Sequence, residues 1–125
     1  MFKEEGKNIW IFPDGELPQP SKDKGLPEAH EALIVLNTSN NNANLGLTFY
    51  FEDVEPIENV NITVKARRVK CIRIDHPEEI GGNVIPFNKQ YALRVKSDHK
   101  IVATFGRLDT TSEKIAFYTG AWYAY

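Results

Sequence analysis

Apolar and polar residues alternate with a period of two along most of the chain, and the breaks in that alternation carry as much information as the runs. In Val60 to Ile74, VNITVKARRVKCIRI, the side chains of Val60, Ile62, Val64 and Ala66 share one face, and Asn61, Thr63, Lys65 and Arg67 share the other. That is the period of a half-buried strand. After Ala66 the phase slips: Val69 and Cys71 become the apolar positions until Ile72 and Ile74 restore it. A one-residue slip sends a strand's side chains to the opposite face, so the chain must bend, bulge or change sheets near Arg67 and Arg68.

The other segments read in the same way. Asn8 to Phe12 is a short apolar strand, ended by the turn signal Pro13-Asp14-Gly15. A long connection, counted from Pro13 to about Ala29, holds four of the seven prolines; it is either a functional loop or a strap over a sheet edge. Ala32 to Leu36 is wholly apolar and predicts a central strand buried on both faces. The Asn-rich link 37–44 predicts a turn, and Leu45 to Phe51 a strand that would pair with the preceding one as a hairpin. After the acidic turn 52–56 and the loop 75–82, Val84 to Phe87 predicts a short edge strand. Tyr91 to Lys96 and Ile101 to Leu108 predict two strands separated by a polar turn at Ser97 to Lys100, and Ile115 to Tyr123 closes the chain. With no helical periodicity anywhere, about eight strands with turns roughly every ten residues predict one all-β domain over residues 1–125, a sandwich or small barrel.

Composition narrows the function rather than the fold. An apolar fraction of 42% supports a packed core, and a net charge of −2 offers no general attraction to nucleic acid or anionic lipid. Cys71 is the single cysteine, so no disulfide forms within the chain, as suits a reducing compartment. The first residues lack the apolar core of a signal peptide. No apolar run approaches the ~20 residues of a membrane helix, so a cytoplasmic protein without direct membrane insertion is expected. In its strand, Cys71 reads as an inert buried thiol. The basic run Lys65, Arg67, Arg68, Lys70, Arg73 reads as a solvated or cross-strand-paired face, because acids flank it on both sides and no aromatics interleave with it.

His30, His76 and His99 make no metal-ligand spacing with one another or with Cys71. Asp75-His76 and Asp98-His99 read as polar loop residues. His30-Glu31 stands at the mouth of the apolar strand, where the histidine is either satisfied by the loop backbone or part of a site. Arg107 and Asp109, two apart on a strand, share a face and either pair with each other or grip a polar ligand. Trp10, Tyr50, Tyr118 and Trp122 supply flat walls for a polyol or else pack in a core or an interface. There is no Gly-x-Ser-x-Gly and no phosphate-cradling glycine loop, and no enzyme, cofactor or metal is expected.

Several of these pieces stand in one order: Trp10 with Gly15 and Pro18, His30-Glu31 before Leu36-Asn37, Val64 to Arg68, Ile85-Pro86, and Ile101-Val102 before Arg107-Leu108-Asp109. The set resembles the sensory rhodopsin transducer family over roughly Lys7 to Ala124. The resemblance implies a jelly-roll-like antiparallel β-sandwich that assembles as a homotetramer and has a non-enzymatic, cytosolic signalling role. It also implies a small polar ligand such as a sugar. Matched onto this chain, the family's polar positions are His30, Glu31, Arg67, Arg107 and Asp109, with Trp10 as an aromatic wall; the group would converge at one end of the sandwich. The chain departs from the family pattern at Thr104-Phe105-Gly106 and at Lys100. The competing reading is an oligomeric adaptor without a small ligand, in which the C-terminal Ala121 to Tyr125 is interface and the partner is a protein, such as the membrane photoreceptor of the family name, or DNA.

Overall fold

The structure, a computed structural model, describes residues 4–19, 29–109, 116–119 and 123–125, with residues 109 and 116–119 described at the level of backbone pairing alone. The strands are β1 (Lys7–Glu16), β2 (His30–Asn37), β3 (Ala43–Phe51), β4 (Ile57–Val64), β5 (Arg68–Arg73), β6 (Gln90–Asp109), β7 (Ala116–Thr119) and β8 (Tyr123–Ala124). Every strand pair is antiparallel. One sheet has the order β4-β3-β6-β1-β8; in the other, β2 lies between β5 and β6, and β7 flanks β6. The fold is a β-sandwich, as the strand pattern predicts, and its one helical element among the described residues is a single 3₁₀ turn at Pro77–Glu79.

The core fills the space between the sheets. Phe12, Leu45, Leu47, Phe49, Val60, Tyr91, Leu93 and Val95 of the first sheet meet Leu33, Val35, Ile72, Ala103 and Phe105 of the second. Each such side chain contributes about 1.5–3 kcal/mol by leaving water. Alternation decides which residues these are.

Strand β6 belongs to both sheets. Its first half pairs with β1 and β3, and its second half with β2 and β7. The polar stretch Ser97 to Lys100 is therefore a bend inside one 20-residue strand, not the turn that its composition predicts. Its polar groups serve the neighbouring chain: the Ser97 carbonyl accepts from Asn8 Nδ2, and Asp98 accepts from the Asn44 amide and side chain.

Three further expectations change. Strands β2 and β3 do not form a hairpin, because β2 pairs with β5 and β6 while β3 pairs with β4 and β6; the Asn-rich link crosses between the sheets. Pro13 to Gly15 does not end β1 but forms a register shift within it, between Phe12 and Gly15. Val84 to Phe87 makes no strand, only an isolated bridge from Phe87 to Leu17.

The phase slip after Ala66 is a change of sheet. Val64 pairs with Ala43 in one sheet and Arg68 with Asn37 in the other. Between them Arg67 takes a left-handed conformation, φ 56°. Buried Asn37 holds this corner: its Nδ2 donates to the carbonyls of Asn41 (2.7 Å), Val64 (3.1 Å) and Lys65 (3.3 Å), and its Oδ1 accepts from Ser39. The Ala66 amide donates to Asn42 Oδ1 and the Arg67 amide to the Ser39 carbonyl. Beyond the corner, Val69 and Cys71 occupy the outer face of edge strand β5. Cys71 is thus exposed rather than buried, since the slipped phase points it to solvent. On the same outer face of β2, Leu36 is 40% exposed, so β2 is central but not covered on both sides.

Candidate functional site

Of the polar residues singled out in the sequence, Glu31 and Arg107 come together. They are register partners on β2 and β6 and both turn toward the interior. Glu31 is completely buried. Its Oε2 accepts from Arg107 Nε at 2.9 Å and is in ion-pair contact with Nη2, also at 2.9 Å, and its Oε1 accepts from the Tyr91 hydroxyl at 2.8 Å and the Glu16 amide at 2.9 Å. Hydrogen bonds from β1 and from both halves of β6 therefore meet on one carboxylate. The bidentate fork of arginine suits this pairing. Burial pushes the Glu31 carboxyl above its ordinary range, with Tyr91, Arg107 and the Glu16 amide pulling the other way. Burial, followed by the neighbouring Glu31 charge, pushes the Tyr91 phenol well above its own.

Arg67 and Trp10 do not join this pair. Arg67 lies beside the far end of β2, six residues from Glu31, or about 20 Å at strand spacing; it is exposed at the corner. The left-handed conformation that the corner requires explains its position. Trp10 is part of the core, 7% exposed. It stacks near Phe12 and donates from its indole to the Ile101 and Lys7 carbonyls. His30 precedes Glu31, so alternation places it on the outer face, opposite Leu108. Asp109 ends β6, and its side chain lies outside the described structure, as do Tyr118 and Trp122. Arg107 pairs with Glu31 from β2, across strands.

Sequence reasoning missed Tyr91 and Gly15. Tyr91 is sixty positions from the carboxylate that it binds, and nothing local marks it apart from other strand aromatics. Gly15 reads as a turn residue, but its role is close approach: a Cβ there would sit 2.5 Å from the Tyr91 ring. The ring of Tyr91 also forms part of a surface groove. Pro13, Tyr50, Phe51, Glu52, Gln90 and Ala92 line one hollow of about 200 Å³ with it. Phe51, Glu52, Asp53, Asn88, Lys89 and Gln90 line an adjoining one of about 320 Å³. This groove is a concave surface among the described residues that suits a small molecule. The Glu31 cluster stands behind its Tyr91 wall.

These observations define a small antiparallel sandwich whose two sheets are tied by one buried carboxylate. The family model described as Anabaena sensory rhodopsin transducer matches residues 5–124, and the chain belongs to that family. Among solved structures, the Thermotoga maritima protein 1070 is similar at 28% identity, with 96% of each chain covered and a TM-score of 0.83. The Anabaena sensory rhodopsin transducer is similar at 25% identity, over 83% of this chain and 99% of its own, with a TM-score of 0.71. No curated protein matches the chain.

Proposed function

We propose that this chain is a non-enzymatic signal-relay module that works as an assembly of identical copies. The observation that carries this reading is the outer face of the β5-β2-β6 sheet. Leu36 pairs with both Val69 and Val102, giving an apolar row across three strands that is 64%, 40% and 41% exposed at Val69, Leu36 and Val102. Ile34 and Cys71 form the next row. A sheet face of this kind favours protein contact over solvent. Family membership supports a signalling role, and the implied assembly is a homotetramer. The assembled surface would meet a partner protein; the name of the Anabaena relative points to a rhodopsin as that kind of partner. The single cysteine suits a cytoplasmic setting.

Sedimentation equilibrium tests the assembly. The wild-type chain is expected at four times the monomer mass and Leu36→Glu/Val102→Glu at the monomer mass, with an unchanged circular dichroism spectrum. A monomeric wild type, or a variant that still assembles, would sink the reading.

The groove at Tyr50 to Gln90 supports a second reading, a small polar ligand such as a sugar. Tyr50 offers a half-exposed ring, and Glu52, Asp53 and Gln90 offer acceptors and donors for hydroxyl groups. A thermal-shift screen with neutral sugars, sugar phosphates and organic acids tests it. Stabilisation by one of them that disappears in Tyr50→Ala supports the groove; no shift with any of them removes it.

A further inference from the structure

The loop after β5 brings together ligand-type side chains that neither the family nor the groove uses. Its sequence is Asp75-His76-Pro77-Glu78-Glu79. The 3₁₀ turn at Pro77–Glu79 sets residues three apart above one another, so Glu79 faces back onto His76. His76 Nδ1 lies 2.7 Å from Glu79 Oε2 and 3.7 Å from Glu78 Oε1, and the three ligand atoms lie within 4.8 Å of one another. The sequence reading passed over this group because it weighed only spacings between histidines and to Cys71.

An imidazole nitrogen with two carboxylates converging on it differs from a run of surface acids. The surroundings also hold the donors. Glu79 turns its other oxygen to the Arg73 amide at 3.2 Å. On the far side of the ring, His76 Nε2 faces Asp75 Oδ2 at 3.8 Å. Asp75 is gripped by Arg73 through two 2.7 Å hydrogen bonds. Burial opposes the Asp75 charge, but Arg73 outweighs it and holds the carboxyl below its ordinary range. At 3.8 Å the two do not hydrogen-bond in this structure; a closer approach would give the imidazole the outer carboxylate usual behind a metal-binding histidine. The loop is anchored by fully buried Ile80 and by the Gly82 amide donating to the Pro77 carbonyl.

We propose that His76 Nδ1, Glu78 and Glu79 form a surface site for a divalent cation of the zinc type, with Asp75 as the positioning residue behind the imidazole. Ligands about 2.1 Å from a tetrahedral zinc stand about 3.4 Å apart. The two distances from Nδ1, 2.7 and 3.7 Å, bracket that separation. The ion replaces the proton shared by His76 and Glu79, and the largely exposed Glu78 swings in to close the third position, leaving the fourth to water. One nitrogen and two oxygens suit zinc better than magnesium or calcium, which take oxygen ligands alone.

Isothermal titration calorimetry with zinc chloride on the chelator-treated full chain tests the site. The background is Cys71→Ser/His99→Ala, which removes the exposed thiol and the other histidine paired to a glutamate. One equivalent of zinc is expected to bind. His76→Ala and Glu78→Gln in that background should abolish or severely weaken binding, and Asp75→Asn should weaken it by about 10–100-fold. Magnesium should not compete. Glu78 is 73% exposed in its side chain, so Glu78→Gln tests the site without threatening the fold. No heat from the background chain at millimolar zinc, or equal binding after His76→Ala and Glu78→Gln, would overturn the proposal.

Discussion

Three hydrogen bonds and an ion pair converge on the Glu31 carboxylate, so removing it takes a buried partner from Tyr91, Arg107 and the Glu16 amide at once. Breaking one side of a buried ion pair costs about 3–5 kcal/mol, so Glu31→Ala should lower unfolding free energy by that amount in a urea titration. Replacing Arg107 as well should cost less than the sum of the two single changes, because neither charge then stays behind. Gly15→Ala should act on the same group from outside, by driving the Tyr91 ring away from Glu31.

At the edge of the molecule, His99 Nδ1 lies 2.6 Å from Glu4, which also accepts from the Lys100 amide. The hydrogen bond to Glu4 raises the His99 pKa above 6.5, and the bond to His99, then that to Lys100, lowers Glu4 below 4.5. The raised histidine stabilises the fold fully below about 6.5, and this is lost as pH rises through its folded value. The lowered carboxylate stabilises it above about 4.5, and this is lost as pH falls through its folded value. The contact is therefore strongest between those limits. A proton NMR titration of His99 should show its pKa fall in Glu4→Gln, and an unchanged value would contradict the pairing.

Among the elements, the corner between β4 and β5 shows what a chain pattern reveals and what it hides. The phase slip after Ala66 was legible, because alternation depends only on neighbours in sequence. The agent of the slip was not: Asn37 reaches Val64 and Lys65 across 27 and 28 positions, and an asparagine in an Asn-rich link reads only as a turn former. For the same reason β2 and β3 looked like a hairpin. Composition marks a turn between them but not which sheet each strand joins. Asn37→Ala should cost about 1–3 kcal/mol, since the buried Val64 carbonyl and the buried Ser39 hydroxyl lose their partner. Arg67→Gly should be neutral or stabilising by up to about 1 kcal/mol, as glycine adopts the left-handed conformation freely. A marked loss of stability in Arg67→Gly would show that the guanidinium matters at the corner. The site residues fared as the corner did. Glu31 and Arg107 were legible as polar residues in apolar strands, and Tyr91 was not, because only the folded register brings it near.

For the whole molecule, exposure of Cys71 makes the apolar outer face measurable without mutation. On a free chain the thiol should react with a maleimide at the rate of a small-molecule thiol. In an assembly through this face it should be protected, increasingly so as protein concentration rises. Protection independent of concentration would place the assembly surface elsewhere.

Strand β6 gives the sandwich a single spine. Partial opening usually proceeds through separable cooperative units, and two sheets joined only by loops could open one at a time. Here the amides of Leu93 and Val95 in one sheet and of Ala103 and Phe105 in the other lie on the same uninterrupted strand. Neither sheet can be released without fraying the ladder of its companion. Native-state hydrogen exchange should accordingly find these four amides exchanging together, at the free energy of global unfolding. A strain introduced on one sheet's surface would be felt across the other as a shift of that common strand.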